Sequence, residues 1–343
     1  MLRGAAGTAL ALALSGCGAV RLGGPAPYTP PPPGIDDMYR TDLLALLVDA
    51  RAATEQLLSA GGADEAVVAV LEVLAEALPV QRRALMTGAE QEREAEASAT
   101  PSSGTDPGAG PVPGADAPQD LPALAEVLHA LRDLAADAAR QVSGSLARPV
   151  AALSAHTAWA VVRLHAASPE LGEVPPAPGV RDLVPTREVP DTDPPSIGAT
   201  EDYDATLARA QAEEWYAGYA HEVMAARTED AVREAHLALC EIHRDRAAEL
   251  GSYAEQDGAE VVPRQAVYAL PAGSLTEDAI GALPTTLSQS LLVDHLALVG
   301  AAPFARRPLP IAAALAEAER LGAALDRLPP LPSLTVEDPP AGG

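Results

Sequence analysis

The sequence predicts an all-α protein built as two tandem helical bundles. Three observations carry that expectation. Apolar residues recur at three- and four-residue spacing in eight stretches, four on each side of a Pro-rich segment at 171–200. No stretch shows the alternation of a half-buried strand. The length of 343 residues suffices for about two domains, each with its own core. Aromatics make up only 3% of the chain, with Phe304 the single Phe, so the cores must be assembled from Leu, Val and Ala.

Arg3 precedes an apolar run from Ala5 to Leu14 that is too short to span a bilayer and reads as a signal peptide over residues 1–16. The run ends in Leu14-Ser15-Gly16-Cys17, which resembles the lipobox of bacterial lipoproteins. That resemblance implies cleavage before Cys17, diacylglyceryl and palmitate chains on Cys17, and a stable anchor at the extracytoplasmic face of the cell membrane. Only Cys240 then remains as a free thiol, so the mature chain holds no intramolecular disulfide. Residues 17–35, with Pro30 to Pro33, favour polyproline II and read as a tether.

The N-terminal bundle is expected over residues 36–170. Its first helix carries Leu43, Leu46, Leu47, Ala50 and Leu57 and stops at Gly61-Gly62. The second starts at Asp64 with Val67, Val70, Leu71, Leu74 and Leu78, is kinked or broken at Pro79, and reaches about Glu96. Residues 98–119 form a Pro/Gly/Ser/Asp stretch read as a disordered insertion. Asp120 caps the third helix, with Pro122 in its first turn and Leu124, Leu128, Leu131 and Ala135 as its stripe. Ser143 or Ser145 opens the fourth, which runs through Leu153, Trp159 and Leu164.

After the expected linker at 171–200, residues 201–330 repeat the count: Asp204 to Arg227, Thr228 to Ala254, Thr276 to Val299 with Pro284 interrupting, and Pro308 to Leu328. Thr228 and Thr276, each followed by two acidic residues, are the expected caps. Residues 331–343 are expected to be a flexible tail.

The formal charge of −25, with no Arg stripe, argues against a nucleic-acid partner. No Gly-rich phosphate loop, Ser nucleophile elbow or Cys-x-x-Cys is present. A lone Glu-x-x-His, Glu126 to His129, has its Glu turned from the leucine stripe and reads as surface.

Chemistry-bearing residues concentrate between Asp204 and Tyr253. Helical phase groups Ala212, Trp215, Tyr216, Tyr219 and Val223 as the core face of the first helix there, leaving Glu214 and His221 on the solvent side. Glu222 flanks the aromatics, so Tyr216, Tyr219 and Glu222 form an expected core polar patch. On the next helix Val232, His236, Leu239, Ile242, His243 and Leu250 face inward. His236 and His243 are separated by ~10 Å along the axis, too far to share one ion directly. Cys240 lies between them and pairs with either, and His295 from the third helix completes a candidate metal set. The competing reading is buried histidines bonded to Tyr216 or Tyr219. On the last helix Glu317 and Glu319 fall beside the apolar stripe, which leaves no inward ligand.

Several short motifs, namely Glu214 with Tyr219, His243-Arg244-x-Arg246, Pro263 leading to Ala266-Val267-Tyr268-Ala269-Leu270-Pro271, Leu298-Val299, and Leu146-Ala147 through His156, resemble an actinobacterial lipoprotein family that ends in a ferritin-like domain of unknown function. The resemblance implies a ferritin-like four-helix bundle over residues 201–330. Di-iron members of that fold carry Glu-x-x-His on two helices. This chain lacks it there, has Ser288 where a Glu is expected and Trp215 where a His is expected. The expected function is therefore a non-catalytic, membrane-anchored lipoprotein that binds an unidentified protein or small molecule and carries no cofactor. The alternative is a metal-dependent redox protein using the Cys240 and histidine set.

Overall fold

A computed structural model describes residues 33–99, 120–188, 199–270 and 276–334. The described residues form nine α-helices and no strand: α1 (Ile35–Ala60), α2 (Glu65–Leu85), α3 (Gly88–Ala99), α4 (Leu121–Gln141), α5 (Gly144–Ala167), α6 (Ala199–Ala225), α7 (Asp230–Asp257), α8 (Glu277–Ala301) and α9 (Pro308–Ala324). The all-α class read from the periodicity is correct. Cys17 and residues 100–119 lie outside the described residues.

Local chemistry sets the ends of these helices. Asp120 accepts a hydrogen bond from the Ala123 amide at 2.8 Å, capping α4 as its sequence position predicts. The expected break at Pro79 does not occur, since α2 runs through it to Leu85. The chain breaks at Met86, whose backbone is extended, and restarts with a capping box. There the Thr87 amide donates to Glu90 at 2.7 Å, and the Glu90 amide donates back to the Thr87 hydroxyl at 3.3 Å. Thr228 is not a cap either; its hydroxyl donates to the Met224 carbonyl at 3.0 Å and closes α6. Pro284 sits within an unbroken α8.

Helix α5 is the centre of the packing, touching α2, α4, α8 and α9. Residues 150–161 are all buried, as suits a helix apolar on every side. The polar groups in that run turn back onto backbone: Ser154 donates to the Arg132 carbonyl at 2.7 Å and Thr157 to the Leu153 carbonyl at 2.9 Å. His156 differs, because its Nε2 is buried without a partner and burial holds its pKa down to about 4.

One hydrophobic cluster takes Leu47 from α1, Leu74 from α2, Leu128 from α4, Leu153 from α5, Leu296 from α8 and Leu315 from α9. Helices from both sides of 171–200 thus share a core. The Pro-rich segment is itself seated over its first half: Leu183 is buried, and Arg132 donates to the Pro175 and Pro176 carbonyls at 2.9 and 3.1 Å. Arg307, 2% exposed, donates to the Ala302, Ala139 and Val142 carbonyls, so a residue before α9 satisfies the open end of α4. The first residues of the expected tail, 331–334, pack against the body. Leu331 is buried, and Arg148 donates to the Ser333 carbonyl at 2.7 Å.

The α5/α9 crossing depends on Gly322. A Cβ there would lie 2.8 Å from Val162 Cβ and 2.9 Å from the Trp159 carbonyl oxygen. Because that oxygen is backbone, the neighbour cannot rotate away. Gly322→Ala is therefore expected to destabilise the protein by roughly 1–3 kcal/mol in urea unfolding; an unchanged midpoint would contradict the close crossing.

Candidate functional site: a buried carboxylate and imidazole cluster

Helices α6 to α9 each turn polar side chains into the space between them. On α6 the buried positions include Leu207, Ala210, Glu214, Ala217, His221 and Met224, spaced three and four apart. On α7 they include His236, Cys240, His243, Ala247, Leu250 and Ala254, with the same spacing. The solvent-side assignment of Glu214 and His221 is therefore wrong: Glu214 is 0% and His221 3% exposed. The error lies in phase. Large aromatics drew the inferred core face toward Trp215, Tyr216 and Tyr219, whereas small residues on the adjacent face let α6 approach α7.

Glu214 is the hub. His243 Nδ1–H donates to its Oε2 and His295 Nε2–H to its Oε1, both at 2.7 Å. Arg246 reaches Oε1 at 3.4 Å and donates to Glu317 on α9 at 2.7 Å. Arg320 grips both oxygens of Glu317, its Nε at 2.9 Å from Oε2. Glu317 is fully buried, which corrects the expectation that α9 offers nothing inward. Burial raises the pKa of each carboxyl, but hydrogen bonds and positive charge outweigh it. Glu214 is held well below the usual carboxylate range by His243, His295 and Arg246, and Glu317 is lowered by Arg320, Arg246 and His243.

A second pair adjoins the hub. His221 and His236 share a hydrogen bond between their Nδ1 atoms at 3.0 Å, and the His221 ring stacks on His243 with centroids 5.3 Å apart and planes 12° apart. Burial and the neighbouring His243 and His236 hold the His221 pKa down to about 3. Two carboxylates and two guanidiniums already balance, so a proton on His221 adds charge with no counterion. His295 Nδ1 is buried without a hydrogen-bond partner.

Of the expected metal set, His236, Cys240, His243 and His295 are all buried, with Cys240 1% exposed. They nevertheless do not converge: His243 and His295 belong to the Glu214 hub and His236 to the His221 pair. Among the described residues no three His, Cys, Asp or Glu side chains are placed to hold one ion. The donor set gives a further reason. Arg246 bridges the two carboxylates, so its guanidinium supplies the positive charge that a bridging metal would supply. These residues do not fit a carboxylate-bridged metal pair.

The expected polar patch is also relocated. Glu222 is exposed and pairs with Arg244 at the surface. Tyr216 and Tyr219 are half-buried under the segment after α7, where Tyr268 packs against them at 6.0 and 5.4 Å. Trp215 Nε1 donates to the Val262 carbonyl at 3.2 Å, and Gln211 accepts from the Val262 amide at 2.7 Å while donating to the Ala247 carbonyl at 3.1 Å. The aromatics hold a loop against α6 and take no part in the hub. Val232 and Ile242, expected inside, are 56% and 41% exposed.

Removing the hub carboxylate strands two imidazoles and a guanidinium. Glu214→Leu is expected to cost about 3–5 kcal/mol in urea unfolding, and Glu222→Ala about 0.5 kcal/mol or less; similar losses would contradict the hub. The contribution of His221 to the pH dependence has one sign. The unfolded chain protonates His221 near the ordinary histidine value of 6.5, whereas the folded chain resists until about 3, so stability present above pH 6.5 is lost as pH falls. The depressed Glu214 and Glu317 add a loss in the same direction below the usual carboxylate range. The thermal midpoint is expected to fall steadily from pH 7.5 to pH 4.5, and less steeply in His221→Phe; a flat profile would contradict these assignments. Compared with known proteins, this chain matches no protein-family model, no curated protein and no solved structure.

Proposed function

We propose that this chain is a membrane-anchored extracytoplasmic lipoprotein whose helical body has a binding or envelope-associated role and performs no catalysis. The observation that carries the non-catalytic reading is the Arg246 bridge between Glu214 and Glu317. Both acids are fully buried and already committed to the chain's own cations, so neither is free to act on a substrate as acid, base or nucleophile. Four helices contributing inward polar groups also support a ferritin-like arrangement of α6 to α9, with a guanidinium in the position between carboxylates.

The anchor reading rests on Leu14-Ser15-Gly16-Cys17 after a short apolar run and before a Pro-rich stretch. No helix among the described residues is long and apolar enough to cross a membrane, so attachment through Cys17 requires no spanning segment from them. Expressed with its own N-terminus in a bacterium that processes lipoproteins, the protein is expected in the membrane fraction, and Cys17→Ala is expected to release it. Retention of Cys17→Ala in the membrane fraction at the wild-type level would overturn the anchor.

A further inference from the structure

A second imidazole pair lies on helices that the Glu214 hub does not use. His129 on α4 and His165 on α5 face each other through their Nε2 atoms at 3.2 Å, with ring centroids 5.3 Å apart. His165 Nδ1 lies 3.2 Å from the Gly172 carbonyl and, as its N–H, donates to it. That bond fixes the tautomer and leaves the His165 Nε2 lone pair aimed at His129. A backbone carbonyl on the remote ring nitrogen is how metal-binding histidines are commonly oriented.

From this we infer that His129 and His165 form a two-imidazole site for a divalent late transition metal of the zinc, nickel or copper class. Two nitrogens bound to one tetrahedral zinc at about 2.0–2.1 Å lie ~3.4 Å apart, so the observed separation needs only a small opening. Both rings sit on helices that pack directly against each other, which fixes their approach. His129 is half-buried, giving an ion access from solvent, while His165 is 7% exposed.

The charges around the pair are mixed. Glu126 and Asp133, one turn away on either side of His129, both act on its ring. Arg132 opposes them, but its guanidinium is held by Asp133 at 2.7 Å and by the Pro175 and Pro176 carbonyls. Without an ion His129 Nε2–H donates to that lone pair, and an ion takes the place of this proton as His129 shifts to its Nδ1–H tautomer. The two imidazoles are the protein's donors, and water would fill the remaining coordination positions.

Equilibrium dialysis of the full chain in detergent against Zn2+ tests this. One zinc per chain is expected, with affinity reduced ~10-fold or more in His129→Gln and unchanged in His236→Gln, which alters the other imidazole pair. Carbethoxylation of the wild type, read by mass spectrometry, gives a measurement independent of any variant: zinc should protect His129. No zinc uptake, uptake that His129→Gln leaves intact, or undiminished labelling of His129 would each overturn the site.

Discussion

A carboxylate sealed from water has to find its solvation inside the protein, and Glu214 determines how α6, α7, α8 and α9 are arranged. Each of its oxygens accepts a 2.7 Å hydrogen bond from an imidazole on a different helix, His243 on α7 and His295 on α8. Arg246 then carries the constraint to Glu317 on α9. An ionised carboxylate left unpaired at this depth would cost several kcal/mol, so any rotation of one helix that breaks the set is opposed. Hydrophobic burial draws the four helices together; the ionic set fixes their phase.

Alanine-rich helices make such a device useful. With few aromatics in the chain, apolar contacts between α6 and α7 are small, and Gly218 and Gly251 bring the helices close enough that an added Cβ would meet Arg244 Cγ at 3.1 Å or Gln211 Nε2 at 2.5 Å. Close backbones leave room for short, directional polar contacts and little for large apolar side chains. Around α5 the balance differs, since Trp159 and the leucines of six helices supply a conventional core.

Helical class and most helix positions were legible because three- and four-residue apolar spacing survives even in an alanine-rich chain. Asp120 as a cap was legible for the same reason that it works, a side-chain oxygen placed just before the first turn. The phase of α6 was not, because the helix is nearly as polar on its buried face as on its outer one. A signal did exist: Leu207, Ala210, Glu214, Ala217, His221 and Met224 keep an unbroken three–four rhythm, but Glu and His within it read as solvent-facing unless their partners are known. Those partners, His243 and His295, lie 29 and 81 residues away. The sharing of one core by helices on both sides of 171–200 was hidden likewise, since a Pro-rich segment looks the same in sequence whether it separates two bodies or lies packed along one.

The central claim is that Glu214 stays ionised because donors from its neighbours replace water. Titration of its side-chain carboxyl by carbon-13 NMR tests this directly. The resonance is expected to keep its ionised position from pH 7 down through the usual carboxylate range for as long as the fold persists. A midpoint at an ordinary glutamate value, with the protein still folded, would contradict the account.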